Sequence, residues 1–142
     1  MTLDELQSIV AKELRVNDEK LDSESLKNQE LYAKYLEHKS RFELLSHKAR
    51  ADYKRVYKEK WEYYGGKSDA KVYASKPFDL KVLKTDLHIY FESDKDIIEA
   101  QHKVAYLDTV IKYLDGVLKS INSRGWDIKN SIEWKKFEAG MM

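Results

Sequence analysis

Cysteine is absent from the 142 residues, which excludes disulfides, thiolate nucleophiles and thiolate metal sites together. Proline occurs once, at Pro77, and glycine five times; with so few turn-forming residues, long helices are favoured over a compact many-stranded fold. No apolar run approaches the roughly 20 residues that cross a bilayer. Met1-Thr2-Leu3-Asp4-Glu5 is acidic where a secretion signal is basic, so the chain is expected in the cytoplasm. What is abundant is charge: 36% of residues are charged and the mean hydropathy is -0.70. The length is one domain's worth, and a chain this wet is expected to bury its remaining apolar surface against copies of itself or a partner.

The net charge of +1 hides a polarised layout. Residues 1–33 carry four Lys/Arg against eight Asp/Glu, residues 34–76 twelve against six, and residues 77–142 ten against eleven. A basic middle between acidic or neutral ends points to a local polyanion-binding surface.

The pattern predicts an all-α fold. Thr2-Leu3-Asp4-Glu5 is a capping box that opens a short helix with Leu3, Leu6, Ile9, Val10 and Leu14 on one side, broken at Asn17-Asp18-Glu19. Asp22 or Ser23 then caps a long helix to about Tyr64. Along it Tyr35, Phe42, Ala49, Val56 and Tyr63 recur every seven residues, with Leu31 and Leu45 between, the spacing of a coiled-coil or helical-hairpin seam. Gly65 is the expected left-handed residue that ends it, followed by a loop to Pro77 carrying Lys67, Lys71 and Lys76. Residues 78–93 read as helix with some β character. Ser93 or Asp94 caps a second long helix through Asn122, Gly125 closes it, and a short final helix holds Trp126, Ile128, Ile132, Trp134 and Phe137. The expected organisation is an N-terminal helical arm over 1–64, a basic loop over 65–77 and a C-terminal helical oligomerisation region over 78–142.

Chemistry is scarce. Gly65-Gly66-Lys67-Ser68 ends like a phosphate-binding loop, but Trp61 stands where the pattern needs glycine and a helix precedes it instead of a strand. Glu99 and His102 make one Glu-x-x-His pair, whereas a di-metal bundle needs two such pairs and two further carboxylates. No nucleophile, base and orienting group assemble. The chain is expected to be no enzyme and to need no cofactor or metal.

The informative stretch runs from Arg50 to Tyr64. At about 100° per residue, Tyr53, Tyr57, Trp61 and Tyr64 share one arc with Arg50, Lys54 and Lys58 in a stripe beside it, and Lys60 falls inside the apolar arc. Adjacent cationic and aromatic stripes are what sequence-independent single-strand binding needs, with cations on phosphates and rings under bases. An extended core seam flanked by snorkelling lysines has the same spacing. The chemistry alone leaves both readings open.

Two stretches carry a resemblance. Lys58-Glu59-Lys60-Trp61-Glu62-Tyr63-Tyr64-Gly65-Gly66 resembles a motif of two basic residues one apart, a hydrophobic residue, a Tyr-Tyr pair and glycines. Ser123-Arg124-Gly125-Trp126-Asp127-Ile128-Lys129-Asn130, with Ile132 and Phe137-Glu138-Ala139-Gly140, resembles the C-terminal signature of the same family, the UvsY-type recombination mediators of tailed phages. The resemblance implies a cofactor-free protein that binds single-stranded DNA coated by a single-strand-binding protein and helps a RecA-like recombinase load. It also implies a ring-like homo-oligomer of six or seven subunits in the cytoplasm of the infected cell. The basic pair falls on Lys58 and Lys60, and the candidate DNA contacts are Arg50, Lys54, Lys58, Lys60, Trp61, Tyr63, Tyr64 and Lys67. The assembly region falls on Ile111, Leu114, Leu118, Ile121, Trp126, Ile128, Ile132, Trp134 and Phe137. The second basic position is commonly Arg; Lys60 keeps the charge and loses the planar fork. The alternative is a helical homo-oligomeric scaffold or regulatory protein that binds no nucleic acid.

Overall fold

The computed structural model describes residues 1–141, which form five helices in the order α1 (Leu3–Glu13), α2 (Leu21–Tyr64), α3 (Ala70–Ser75), α4 (Leu87–Ser93) and α5 (Lys95–Glu138). No strand occurs among the described residues. No described helix is long and apolar enough to cross a membrane.

Local chemistry sets most helix ends. The Thr2 hydroxyl accepts from the Glu5 amide at 3.2 Å while the Glu5 carboxylate accepts from the Thr2 amide at 3.0 Å, the predicted capping box. Asn17 breaks the chain after α1 by accepting from the Glu19 amide at 3.1 Å. Helix α2 begins at Leu21, earlier than a cap at Asp22 or Ser23: the Lys20 carbonyl already accepts from the Glu24 amide, so Asp22 lies in the first turn, where a carboxylate faces the positive helix end. At the other end the left-handed residue is Gly66 (φ 75°) instead of Gly65. The Gly66 amide donates to the Tyr63 carbonyl and the Lys67 amide to the Glu62 carbonyl, a Schellman closure displaced by one residue from the expected site.

Three departures lie further along. The basic loop contains α3, pinned by the Tyr73 hydroxyl donating to the Tyr63 carbonyl at 2.8 Å. Only the last part of 78–93 is helical, as α4. Of the two expected caps, Ser93 and Asp94, it is Asp94 that caps α5, its Oδ1 accepting from the Asp96 and Ile97 amides at 2.9 and 3.0 Å. Yet α5 continues through Gly125 to Glu138, so the second long helix and the short final helix are one. A glycine inside a helix costs about 1 kcal/mol relative to alanine. Here it admits a close neighbour: a Cβ at Gly125 would lie 3.2 Å from the Asn28 side-chain nitrogen.

The chain divides into two compact units, one of Met1–Phe42 with the residues from Thr109 onward, the other of Glu43–Asp108, so both long helices contribute to both. In the first, α1 and the facing stretches of α2 and α5 bury Leu6, Leu31, Tyr35, Phe42, Val110, Leu114, Val117, Ile121 and Ile128. The α2 and α5 stretches run antiparallel, with Lys39 paired to Asp115 at 2.7 Å and the Asn28 amide donating to the Ile121 carbonyl at 2.8 Å. Arg124, 4% exposed, donates to the Leu14, Arg15 and Glu24 carbonyls and the Asn28 side chain, and pairs with the Glu24 carboxylate.

In the second unit Ala49, Phe91, Ile97 and Leu107 are buried. The seam departs from its expected course at Leu45, which is 49% exposed, while Ser46 is buried. From Phe42 the helix turns inward at the fourth residue and not the third. Ser46 is accommodated there because its hydroxyl donates to Asp108 Oδ1 at 3.0 Å.

Candidate nucleic-acid interface

The end of α2 presents one face outward and packs the other. Arg50, Trp61, Lys54 and Lys58 fall within about 80° of helix circumference, and all four are exposed. Lys54 and Lys58 carry no ion pair among the described residues, whereas Arg50 pairs with Asp108 at 2.5 Å. Trp61 is 41% exposed, and the Lys67 ammonium sits 4.3 Å from its ring centroid. The Schellman closure brings Lys67 back over the helix face, joining a ring and a cation at one spot.

The other face is internal. Tyr63 stacks on Tyr73 (5.5 Å, 16° between planes) and contacts Phe78, and its hydroxyl donates to the Lys76 carbonyl at 3.0 Å. Tyr64 packs edge-on against Phe78 and Phe91, and its hydroxyl donates to Asp94 Oδ2 at 2.5 Å. Lys60 is 18% exposed, with its ammonium 2.7 Å from Asp96 Oδ2 and 3.4 Å from Asp94 Oδ2. Burial alone would push the Asp94 carboxyl up; the Tyr64 hydroxyl, the Ile97 amide and Lys60 outweigh it and hold it below its usual range. Burial likewise pushes the Lys60 ammonium down, and the two aspartates more than reverse that.

Of the eight candidate DNA contacts, the fold therefore brings Arg50, Lys54, Lys58, Trp61 and Lys67 to the outside and folds Lys60, Tyr63 and Tyr64 into an aromatic and ionic cluster behind them. Nothing in the local sequence marks Asp94, Asp96, Tyr73 and Phe78 as the partners of these three side chains, and for Asp94 it marks only the helix cap. The one available signal was Lys60 itself, since a lysine inside an apolar arc calls for a carboxylate.

The assembly candidates divide as well. Leu114, Leu118, Ile121 and Ile128 are consumed by the first unit's own core, and Ile111 and Ile132 are half-buried. Trp126, Trp134 and Phe137 are exposed, within about 80° of one another on the side of α5 opposite that core. The C-terminal signature thus has internal duties at Arg124, Gly125 and Ile128 and an outward one at Trp126.

Known proteins match this chain along nearly its whole length. The model of the family described as "Recombination, repair and ssDNA binding protein UvsY" matches residues 10–141. Over 140 residues the chain is 29% identical to the recombination protein UvsY of Enterobacteria phage T4, covering 99% of each. Crystal structures of the bacteriophage T4 recombination mediator protein UvsY superpose with a TM-score of 0.85 at 27% identity, covering 98% of both chains, and in another lattice with 0.84 at 26%, covering 94% and 98%. The Lys/Tyr motif, the C-terminal signature, the helical architecture and these matches converge, and the chain belongs to the UvsY family.

Proposed function

We propose that this protein is a recombination mediator: it binds single-stranded DNA through the outer face of the α2 end and helps a RecA-like recombinase load onto DNA coated by a single-strand-binding protein. Family membership supports the role, and the observation that carries the site is the exposed stripe of Arg50, Lys54, Lys58 and Trp61 with Lys67 over the indole. Its cations neutralise phosphates and its ring stacks a base, worth about 1–3 kcal/mol. The segment to residue 64 carries the DNA-binding helix end, 65–77 the basic loop, and 78–142 the assembly region, in the cytoplasm of the infected cell.

One such stripe binds weakly at cellular salt. A ring of six or seven copies, closed through Trp126, Trp134 and Phe137, raises the effective concentration and turns weak sites into tight binding. DNA held against the ring bends away from its path on the competing single-strand-binding protein, which loosens that complex. The chemistry is positional throughout, and no catalytic step is required of the chain.

The test is a salt titration of fluorescent oligo-dT binding with mass measured by light scattering in the same samples. Wild-type affinity is expected to fall steeply with salt. Lys54→Ala/Lys58→Ala is expected to lose binding at unchanged mass, and Trp126→Ala/Trp134→Ala to lose mass first and affinity with it. A wild type that assembles yet ignores DNA at low salt would replace the mediator with a helical scaffold.

A further inference from the structure

Lys60 is one of the two basic residues of the family motif, yet its surroundings differ from those of Lys58. Lys58 stands in solvent. The Lys60 ammonium faces two carboxylates, Asp96 at 2.7 Å and Asp94 at 3.4 Å, and lies 5.7 Å from the centroid of the Tyr63 ring. Asp94 is 5% exposed and already engaged three ways, by the Asp96 and Ile97 amides and the Tyr64 hydroxyl. A phosphate approaching Lys60 would meet these two carboxylates around the same ammonium, and their repulsion offsets what one cation offers. The same contacts tie the last two turns of α2 to the first turn of α5.

We infer that Lys60 is a positioning residue that makes no phosphate contact: it braces the end of α2 against Asp94 and Asp96 so that Lys58, Trp61 and Lys67 form one surface. This rests on the proposed DNA-binding role for its function, but the brace itself is a property of the folded chain. Tyr64 belongs to the same device, since its hydroxyl shares Asp94 Oδ2 with the ammonium.

The distinguishing measurement is the slope of log affinity for oligo-dT against log salt. Each phosphate contact contributes about 0.7 to that slope for single strands. Lys58→Ala is expected to flatten it by about 0.7. Lys60→Met is expected to weaken binding severalfold by the same factor at every salt, leaving parallel lines, with Lys60→Arg restoring affinity. Thermal unfolding without DNA supplies the second reading: Lys60→Met and Asp96→Asn each lower the melting temperature, and the double variant loses less than the sum of the two. A slope flattened by about 0.7 in Lys60→Met, with additive melting shifts, would overturn the inference. If Lys60→Met fails to fold, Asp96→Asn decides alone, because the brace predicts a lower melting temperature and parallel salt lines, and a phosphate-contacting Lys60 predicts stronger binding once its competitor is neutralised. If the wild type binds no DNA, the mediator reading fails, while coupling between positions 60 and 96 still decides the brace.

Discussion

Replacing Arg124 by methionine tests the first unit most directly. All five guanidinium N–H groups are used: Nε donates to the Leu14 carbonyl at 3.1 Å, Nη1 to the Glu24 carbonyl at 3.1 Å and to Asn28 Oδ1 at 3.0 Å, and Nη2 to the Arg15 carbonyl at 3.3 Å and to the Glu24 carboxylate. Methionine keeps much of the volume and removes every donor, leaving the half-buried Glu24 carboxylate, the Leu14 and Arg15 carbonyls of the α1–α2 connection and the Glu24 carbonyl in the first turn of α2 without their partner. Breaking a buried ion pair on one side costs about 3–5 kcal/mol. Arg15 is exposed, so water repays part of this, and a loss of about 3 kcal/mol is expected. That is a large share of the roughly 5–15 kcal/mol that holds a domain together, and it corresponds to a melting shift of about 6–12 °C. Urea unfolding followed by circular dichroism at matched protein concentration measures it, since assembly also adds stability. Arg124→Lys should recover part of the loss, because an ammonium has at most three donors. Arg124→Met/Glu24→Met should be less destabilised than Arg124→Met, because no orphaned charge remains. A loss below about 1 kcal/mol in Arg124→Met would show that the network is solvated and contributes little to the first unit.

Two glycines inside α5 should respond oppositely to alanine, read by the same unfolding assay. Gly116 has open space around its missing Cβ, so Gly116→Ala should gain up to about 1 kcal/mol of helix propensity. Gly125→Ala should lose stability despite that gain, because Asn28 is held at both ends, by the Ile121 carbonyl and by Arg124, and has no room to retreat from a Cβ 3.2 Å away. Stability should also peak near neutral pH, as melting temperatures across a pH series would show. Burial, then Lys34 and Arg41, lowers the His38 pKa from its ordinary 6.5, so below that value the unfolded chain takes up the proton first and stability falls with pH. Glu13 and Asp94, both held below their ordinary 4.5 and 3.8, extend the loss as pH falls through those values and into their depressed folded range. On the alkaline side Tyr35 and Tyr64, both raised by burial and by a neighbouring carboxylate, contribute stability that is whole below about 10 and is lost as pH climbs past it. A flat profile between pH 3 and 7 would count against the ionic contacts of both units.

What the sequence determined by itself was everything encoded within a turn or two of helix. The Thr2–Glu5 capping box, the break at Asn17, the length of α2 and the Asp94 cap follow from side chains that bond to their own near backbone, so no fold need be known to read them. The Lys/Tyr motif and the C-terminal signature carried the family likeness in the same local way. Tertiary structure decided what depends on residues distant in the chain. Gly125 reads locally as a helix stop, and only the approach of Asn28, some hundred positions earlier, makes it a packing residue inside a continuous helix. Leu45 and Ser46 are equally eligible for the seam by spacing; the choice fell to Ser46 because Asp108 was opposite to receive its hydroxyl. Leu114, Leu118, Ile121 and Ile128 are indistinguishable by composition from an assembly surface until the first unit covers them and leaves Trp126, Trp134 and Phe137 outside. Lys58 and Lys60 stand two residues apart with the same charge, and a helix turns them about 200° apart, one into solvent and the other onto Asp94 and Asp96. Periodicity finds the face of a helix, but only its neighbours decide which residues on that face remain free to bind.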